Sequence, residues 1–287
     1  MRWEGRRESE NVNDRRGMSP AMIGGGGGLI TIVVMAIAFF MGADPRQLMQ
    51  MAAQQQQQAA VGQQERSPEE DRAASFVKVG LADTEDVWND LFPKLVGKPY
   101  REPELDLFTD STPSACGHAT AAVGPFYCPG DQKVYLDLSF FTEMREKFQA
   151  PGDFACAYVV AHEVGHHVQN LLGLSDQVTA QQARVGEVER NNLSVRLELQ
   201  ADFLAGVWAH HAQATKQILE SGDIAEAMDA AKAIGDDTLQ RKASGRVRPD
   251  AFTHGSSKQR IKWFTHGLKT GNLEDLNLLF ETPYEEL

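Results

Sequence analysis

Residues 153–173 read DFACAYVVAHEVGHHVQNLLG. Phe154, Ala157, Val160, Ala161, Val164, Val168 and Leu171 recur at spacings of three and four, the apolar stripe of a helix packed against a core. A helix is therefore predicted over 152–172, with Gly173 as its stop. Inside it stands His162-Glu163-Val164-Gly165-His166. Two residues four apart lie one turn above each other on one face, so both imidazoles can reach a single zinc ion at about 2.0–2.1 Å. Glu163 points to the side of that face. It is not a ligand there and is available to a water molecule as a general base. Gly165 costs the helix roughly 1 kcal/mol of propensity, which implies that another element comes close at that point.

A catalytic zinc takes three protein ligands and keeps one position open. The third does not come from the extended metzincin pattern, because Gln169 and Leu172 stand where that pattern needs glycine and histidine. The better source is Glu198-Leu199-Gln200-Ala201-Asp202. Glu198 and Asp202 are four apart on a predicted helix, so one carboxylate can bind the metal while the other accepts the ring N–H of a ligating histidine. The alternative is two acids on a solvated face, in a chain with 40 acidic residues.

Working outward, Ser67-Pro68-Glu69-Glu70 combines a hydroxyl N-cap, proline at the first helical position and a glutamate three residues on, so a helix should run from there to about residue 94. Loops and short strands follow to Gly124. In GPFYCPGDQKVYLDL (124–138) the turn Cys128-Pro129-Gly130-Asp131 suits a type II hairpin. Further helices are predicted near 193–219 and 224–234, and another from the Ser256/Gln259 capping box. Helices, a small antiparallel sheet, then helices point to an α+β domain over 67–287.

The front of the chain reads differently. Residues 29–41, LITIVVMAIAFFM, are almost wholly apolar, and 20–43 is read as a single transmembrane anchor once its glycines are recruited. Arg2, Arg6, Arg7, Arg15 and Arg16 precede it, which assigns residues 1–19 to a short cytoplasmic segment and the domain to the periplasm or outside. A cleaved secretory signal is the rival reading. Residues 44–66, rich in Gln and Ala, read as a linker. A net charge of −12 removes nucleic acid from the partners, since phosphate binding needs clustered Lys and Arg. Of three cysteines, Cys116 and Cys128 can close a short loop in an oxidising compartment, and Cys156 reads as a buried thiol.

HEVGHHVQ followed by LELQAD resembles the gluzincin zinc peptidases, and the blocks MRWEGRRES, GPFYCPGDQKVYLDL, SVRLELQADFLAGVWAHHA and HGSSKQRIKWF resemble bacterial neutral zinc metallopeptidases of the YpfJ type. The resemblance implies a zincin-like, mostly helical domain in the bacterial inner membrane. It also implies Zn2+ held by His162, His166 and Glu198, with Asp202 behind them, and Glu163 as catalytic base acting on a peptide or protein substrate. It further implies that the strand at 133–138 is the sheet edge along which substrate lies, although the residues themselves show only a hairpin. Members often add a His or Tyr that hydrogen-bonds the oxyanion, and His254 is the candidate; capping or packing is its other reading. His118, His167, His210, His211 and His266 read as surface or core residues. A zinc-holding membrane protein that binds partners and hydrolyses nothing is the alternative function.

Overall fold

Ser67 opens the main helical body. Its hydroxyl accepts the Glu70 amide at 3.1 Å while the Glu70 carboxylate accepts the Ser67 amide at 2.7 Å, the reciprocal cap read from the sequence. A computed structural model describes residues 1–17, 66–120, 124–148, 150 and 152–287. The strands are β1 (Val12–Asp14), β2 (Glu104–Phe108), β3 (Ser111–Ser114), β4 (Gly117–Thr120), β5 (Phe126–Cys128) and β6 (Lys133–Asp137). The helices are α1 (Pro68–Val96), α2 (Ser139–Glu146), α3 (Asp153–Leu171), α4 (Leu174–Gln182), α5 (Glu187–Lys216), α6 (Asp223–Ala233), α7 (Asp236–Ser244), α8 (Ser257–Thr270) and α9 (Leu278–Glu281). The described residues are mostly helical with two small sheets.

The main sheet corrects the antiparallel expectation. Its order is β1-β2-β6-β5, with β1–β2 and β2–β6 parallel and only the β5–β6 hairpin antiparallel; β3 and β4 form a separate antiparallel pair. Parallel neighbours need long crossovers, which α1 and the loops after it supply. The strand expected as the exposed edge, β6, pairs on both sides, so the edge at that end is β5. The hairpin turn also departs from type II. Gly130 does not take a positive φ, and the left-handed residue is Gln132 at φ 59°.

Residues 1–17, the described part of the segment read at 1–19, pack against the helical unit. Trp3 is buried, meets Phe76 of α1 edge-on at 5.5 Å and donates its indole N–H to Asp153 of α3 at 2.9 Å. Arg7 pairs with Glu85 and Asp86 at 2.9 and 2.7 Å, Arg15 with Asp106 at 3.1 Å, and Arg6 with Asp83. Arginines read as a membrane-orientation signal are thus partners of the domain's own acids. Arg66 donates to Asp14 at 3.0 Å, so residue 66 lies beside the end of β1. The anchor read at 20–43 and, apart from residue 66, the linker read at 44–66 lie outside the described residues. Among the described residues no helix is long and apolar enough to cross a membrane.

Helix α3 is the centre of the core, with Phe154, Tyr158, Val164 and Val168 fully buried. It packs against α1, α5 and α6, while α8 lies along α5. The α5–α8 contact is backbone on backbone. A Cβ on Gly206 would sit 2.2 Å from the Phe264 carbonyl, and one on Gly267 would sit 2.1 Å from that of Phe203. Side chains larger than hydrogen at these two positions would force the helices apart, and with them Arg260 of α8 from Asp202 of α5.

Candidate metal centre

Gly165 answers the question its helix cost raised. A Cβ there would stand 3.0 Å from the carbonyl oxygen and 3.1 Å from the Cα of Ala201, so glycine lets the backbone of α5 press against α3 between the two histidines. Ala201 is flanked by Glu198 one turn back and Asp202 one residue on. The crossing therefore delivers both acids to the imidazoles.

The donors converge. His162 Nε2 lies 3.2 Å from Glu198 Oε2, and His166 Nε2 lies 3.5 Å from Glu198 Oε1. The two rings stand 4.8 Å apart at 88°. Tetrahedral zinc with bonds of about 2.0–2.1 Å separates neighbouring donors by about 3.3 Å, so this set fits zinc by spacing as well as by chemistry. Each ring is held by its other nitrogen. His162 Nδ1 faces Asp202 Oδ1 at 2.9 Å, and His166 Nδ1 faces Gln169 Oε1 at 2.9 Å. The Gln169 amide is oriented in turn, because its Nε2 donates to Leu197 O at 2.7 Å and to Gln200 Oε1 at 3.0 Å. Nδ1 of each ring is thus engaged by an acceptor, and Nε2 is the nitrogen left facing the metal position.

Behind Asp202 sits a buried network. Arg260 Nε donates to Asp202 Oδ2 at 2.8 Å and its Nη2 to Oδ1 at 2.9 Å, while the Tyr158 hydroxyl donates to Oδ1 as well. Burial opposes the carboxylate charge, but Arg260 and His162 outweigh it and hold Asp202 down to about 2. For His162, burial opposes the imidazolium, yet Asp202 and Glu198 carry it up to about 10. A field that stabilises a cation here also favours a metal ion. Burial raises Glu163, with His162 and His166 opposing; the backbone amide of Tyr127 is near enough to favour its charged form.

A cavity of ≈ 620 Å³ opens onto this centre. His162, Glu163, His166, Glu198, His254 and Arg260 all line it, with an apolar flank that includes Phe126, Phe140 and Phe148. His254 shares the cavity from the loop before α8. Asp236 Oδ2 accepts the amides of Thr253, His254 and Gly255 at 2.7, 2.6 and 3.1 Å, and Oδ1 faces His254 Nδ1 at 3.2 Å. That hydrogen bond raises the His254 imidazolium, burial opposing. Cys116 and Cys128 are joined by a disulfide, Cα to Cα 5.8 Å, which ties the β3–β4 turn to β5; Cys156 is free, and burial raises its thiol.

Sequence reasoning missed Gln169, Gln200, Tyr158, Arg260, Asp236 and Tyr127. Gln169 carried a usable signal, since 162, 166 and 169 share a helix face. His167 is a buried, hydrogen-bonded core residue, while His210 and His211 lie against the carbonyls of Leu268 and Gly271 and His266 pairs with Asp275.

Two imidazoles from one helix, a carboxylate from a later helix and an unliganded glutamate beside them define a class, the HExxH zinc proteins completed by glutamate. The family follows from comparison. Over residues 1–279 the chain matches the family described as "Putative neutral zinc metallopeptidase", and it belongs to that family. It is 49% identical to "Uncharacterized protein YpfJ" of Escherichia coli (strain K12) over 283 residues, 96% of this chain and 98% of that protein. It is 45% identical over 196 residues to "Uncharacterized protein Mb2605" of Mycobacterium bovis, 65% of this chain and 64% of that protein. The same figures hold for "Uncharacterized protein Rv2575" of Mycobacterium tuberculosis. No solved structure matches. Family membership makes Zn2+ the cofactor, and the donor group that fits it is His162, His166 and Glu198.

Proposed function

We propose that this chain hydrolyses peptide bonds as a zinc-dependent peptidase. One observation carries the reading: among the described residues only three groups converge as metal donors, and the uncommitted Glu163 faces the same open cavity. A structural zinc site closes its fourth position with a protein side chain. When bound, zinc supplies a Lewis acid that polarises the scissile carbonyl and makes water easier to deprotonate. Glu163 accepts the proton of the attacking water and returns it to the leaving amine nitrogen. His254, whose charged form the Asp236 hydrogen bond favours, donates a hydrogen bond to the carbonyl oxygen as negative charge develops there. The outer edge of β5 offers main-chain groups to an extended peptide.

Zinc-loaded protein is expected to cut members of a peptide library, to stop on treatment with a chelator and to recover when zinc is restored. A loaded, folded protein that cuts nothing ends the peptidase reading. Replacing His254 by Ala should lower kcat about 10²- to 10³-fold with little change in KM. Because the Asp236 hydrogen bond raises the His254 pKa, the charged form is retained to higher pH than in a free imidazole, and its contribution is lost as the pH rises through that pKa. Asp236→Asn should therefore move the alkaline limb of the pH–rate profile to lower pH; an unmoved limb excludes His254 from this role.

For location we propose membrane contact through the apolar residues 29–41 and an oxidising compartment for the domain, the latter supported by the Cys116–Cys128 bond. The packing of residues 1–17 on the domain favours one side of the membrane for both. Single cysteines placed at exposed positions of the first 17 residues and of α5 should react alike with an impermeant maleimide on intact cells, and opposite labelling rejects the proposal.

A further inference from the structure

Helix α3 presents two adjacent stripes with the same spacing. His162, His166 and Gln169 form the metal stripe. Glu163, His167 and Asn170 form the other; His167 and Asn170 reach one residue of the edge strand, Tyr127, which lines the same cavity as Glu163. Strand alternation places Tyr127 there: Phe126 and Cys128 point the other way, into a cluster with Phe108 and Tyr135 where Phe126 stacks on Tyr135 at 5.1 Å.

The hydrogen bonds of Tyr127 run in one direction. His167 Nε2 lies 2.6 Å from the carbonyl oxygen of Arg101, so that nitrogen carries the proton and donates. Asn170 Nδ2 donates to the Tyr127 hydroxyl at 3.0 Å. The hydroxyl proton is then left for His167 Nδ1, also at 3.0 Å. The chain from Asn170 through Tyr127 and His167 to Arg101 is satisfied at every step. It clamps β5 to the zinc-binding helix from behind, and Tyr127 lines the same cavity as Glu163.

We infer that Tyr127 is a positioning residue for peptide hydrolysis: its phenol, held by His167 and Asn170, fixes the edge strand β5 in register with Glu163, so that bound peptide and catalytic base keep their relative place. The inference rests on the peptidase reading for its kinetic test and on a separate binding measurement for its independence. A 1 Å misplacement at such a site costs about 10²-fold. Tyr127→Phe keeps the ring and removes two hydrogen bonds. On an extended fluorogenic peptide it is expected to lower kcat/KM about 10- to 100-fold, with KM and kcat both affected and zinc content unchanged. His167→Gln retains an acceptor for the phenol and a donor for Arg101 and should restore most of the rate, whereas His167→Leu should match Tyr127→Phe. The double variant Tyr127→Phe/His167→Leu should be no worse than either single, as expected of one linked unit. If Tyr127→Phe does not fold, Asn170→Ala, which removes a single donor, carries the same kinetic test. Affinity for a peptide hydroxamate, measured by calorimetry, is read in parallel, because it requires the site and not turnover. Wild-type protein that cleaves nothing but binds the hydroxamate more tightly than Tyr127→Phe retains the clamp and loses the peptidase reading. Unchanged kcat, KM and hydroxamate affinity in a folded, zinc-loaded Tyr127→Phe protein overturn the inference.

Discussion

A Glu163→Gln protein is expected to bind one equivalent of zinc and to hydrolyse peptide some 10²- to 10⁴-fold more slowly than its parent, a loss of roughly 3–5 kcal/mol in transition-state stabilisation. The two halves of that result have different origins. Zinc stays because its donors are His162, His166 and Glu198, and Glu163 is not one of them. Turnover falls because the amide has the shape of the carboxylate but cannot take a proton from water. Glutamine also fills the same volume, so the local packing has no reason to rearrange. Metal analysis beside steady-state kinetics reads both halves at once. A fully active, zinc-loaded Glu163→Gln protein means that another group is the base. An inactive protein without zinc means that Glu163 contributes to metal retention and leaves its chemical role undecided.

The sequence discloses those features whose cause is local. His162, Glu163 and His166 fix one another through helical spacing, and Glu198 and Asp202 do the same one helix later. The caps at Ser67 and Ser256 form as their residue types require. Arg260 had no comparable signal, because it is 58 residues from Asp202 and reaches it only where α5 and α8 touch through Gly206 and Gly267. Two glycines inside strong helical patterns were the available hint, since each costs about 1 kcal/mol unless something needs the space. The packing of the leader was not legible for a related reason. Arg6, Arg7 and Arg15 find their acids 77, 78 and 91 residues on. Strand β1 has three residues, too few to show a period. The family resemblance implied β6 at the edge, and the hairpin alone does not reveal that β2 occupies its other side.

Asp202→Ala should produce two separable losses. Asp202 is fully buried and accepts from four donors: Tyr158, His162 Nδ1 and two nitrogens of Arg260. Removing the carboxylate leaves the Arg260 guanidinium buried without its counter-charge, a loss of about 3–5 kcal/mol that denaturation of the zinc-free protein would register. The same change frees His162 to turn or to adopt the other tautomer, which should weaken zinc about 10- to 100-fold in chelator competition. The sign with pH follows from the depressed carboxyl: its stabilisation is complete above the ordinary value of 3.8 and disappears as the pH falls toward about 2, so the stability gap between parent and variant should close over that range. A second substitution separates the two losses. In Asp202→Ala/Arg260→Leu no charge is stranded, so stability should largely return, whereas zinc affinity should stay low because nothing accepts the His162 N–H. Recovery of both in the double variant would mean that Asp202 serves the metal only by neutralising Arg260. Recovery of neither would mean that the Arg260–Asp202 pair joins α5 to α8 in a way apolar packing cannot replace.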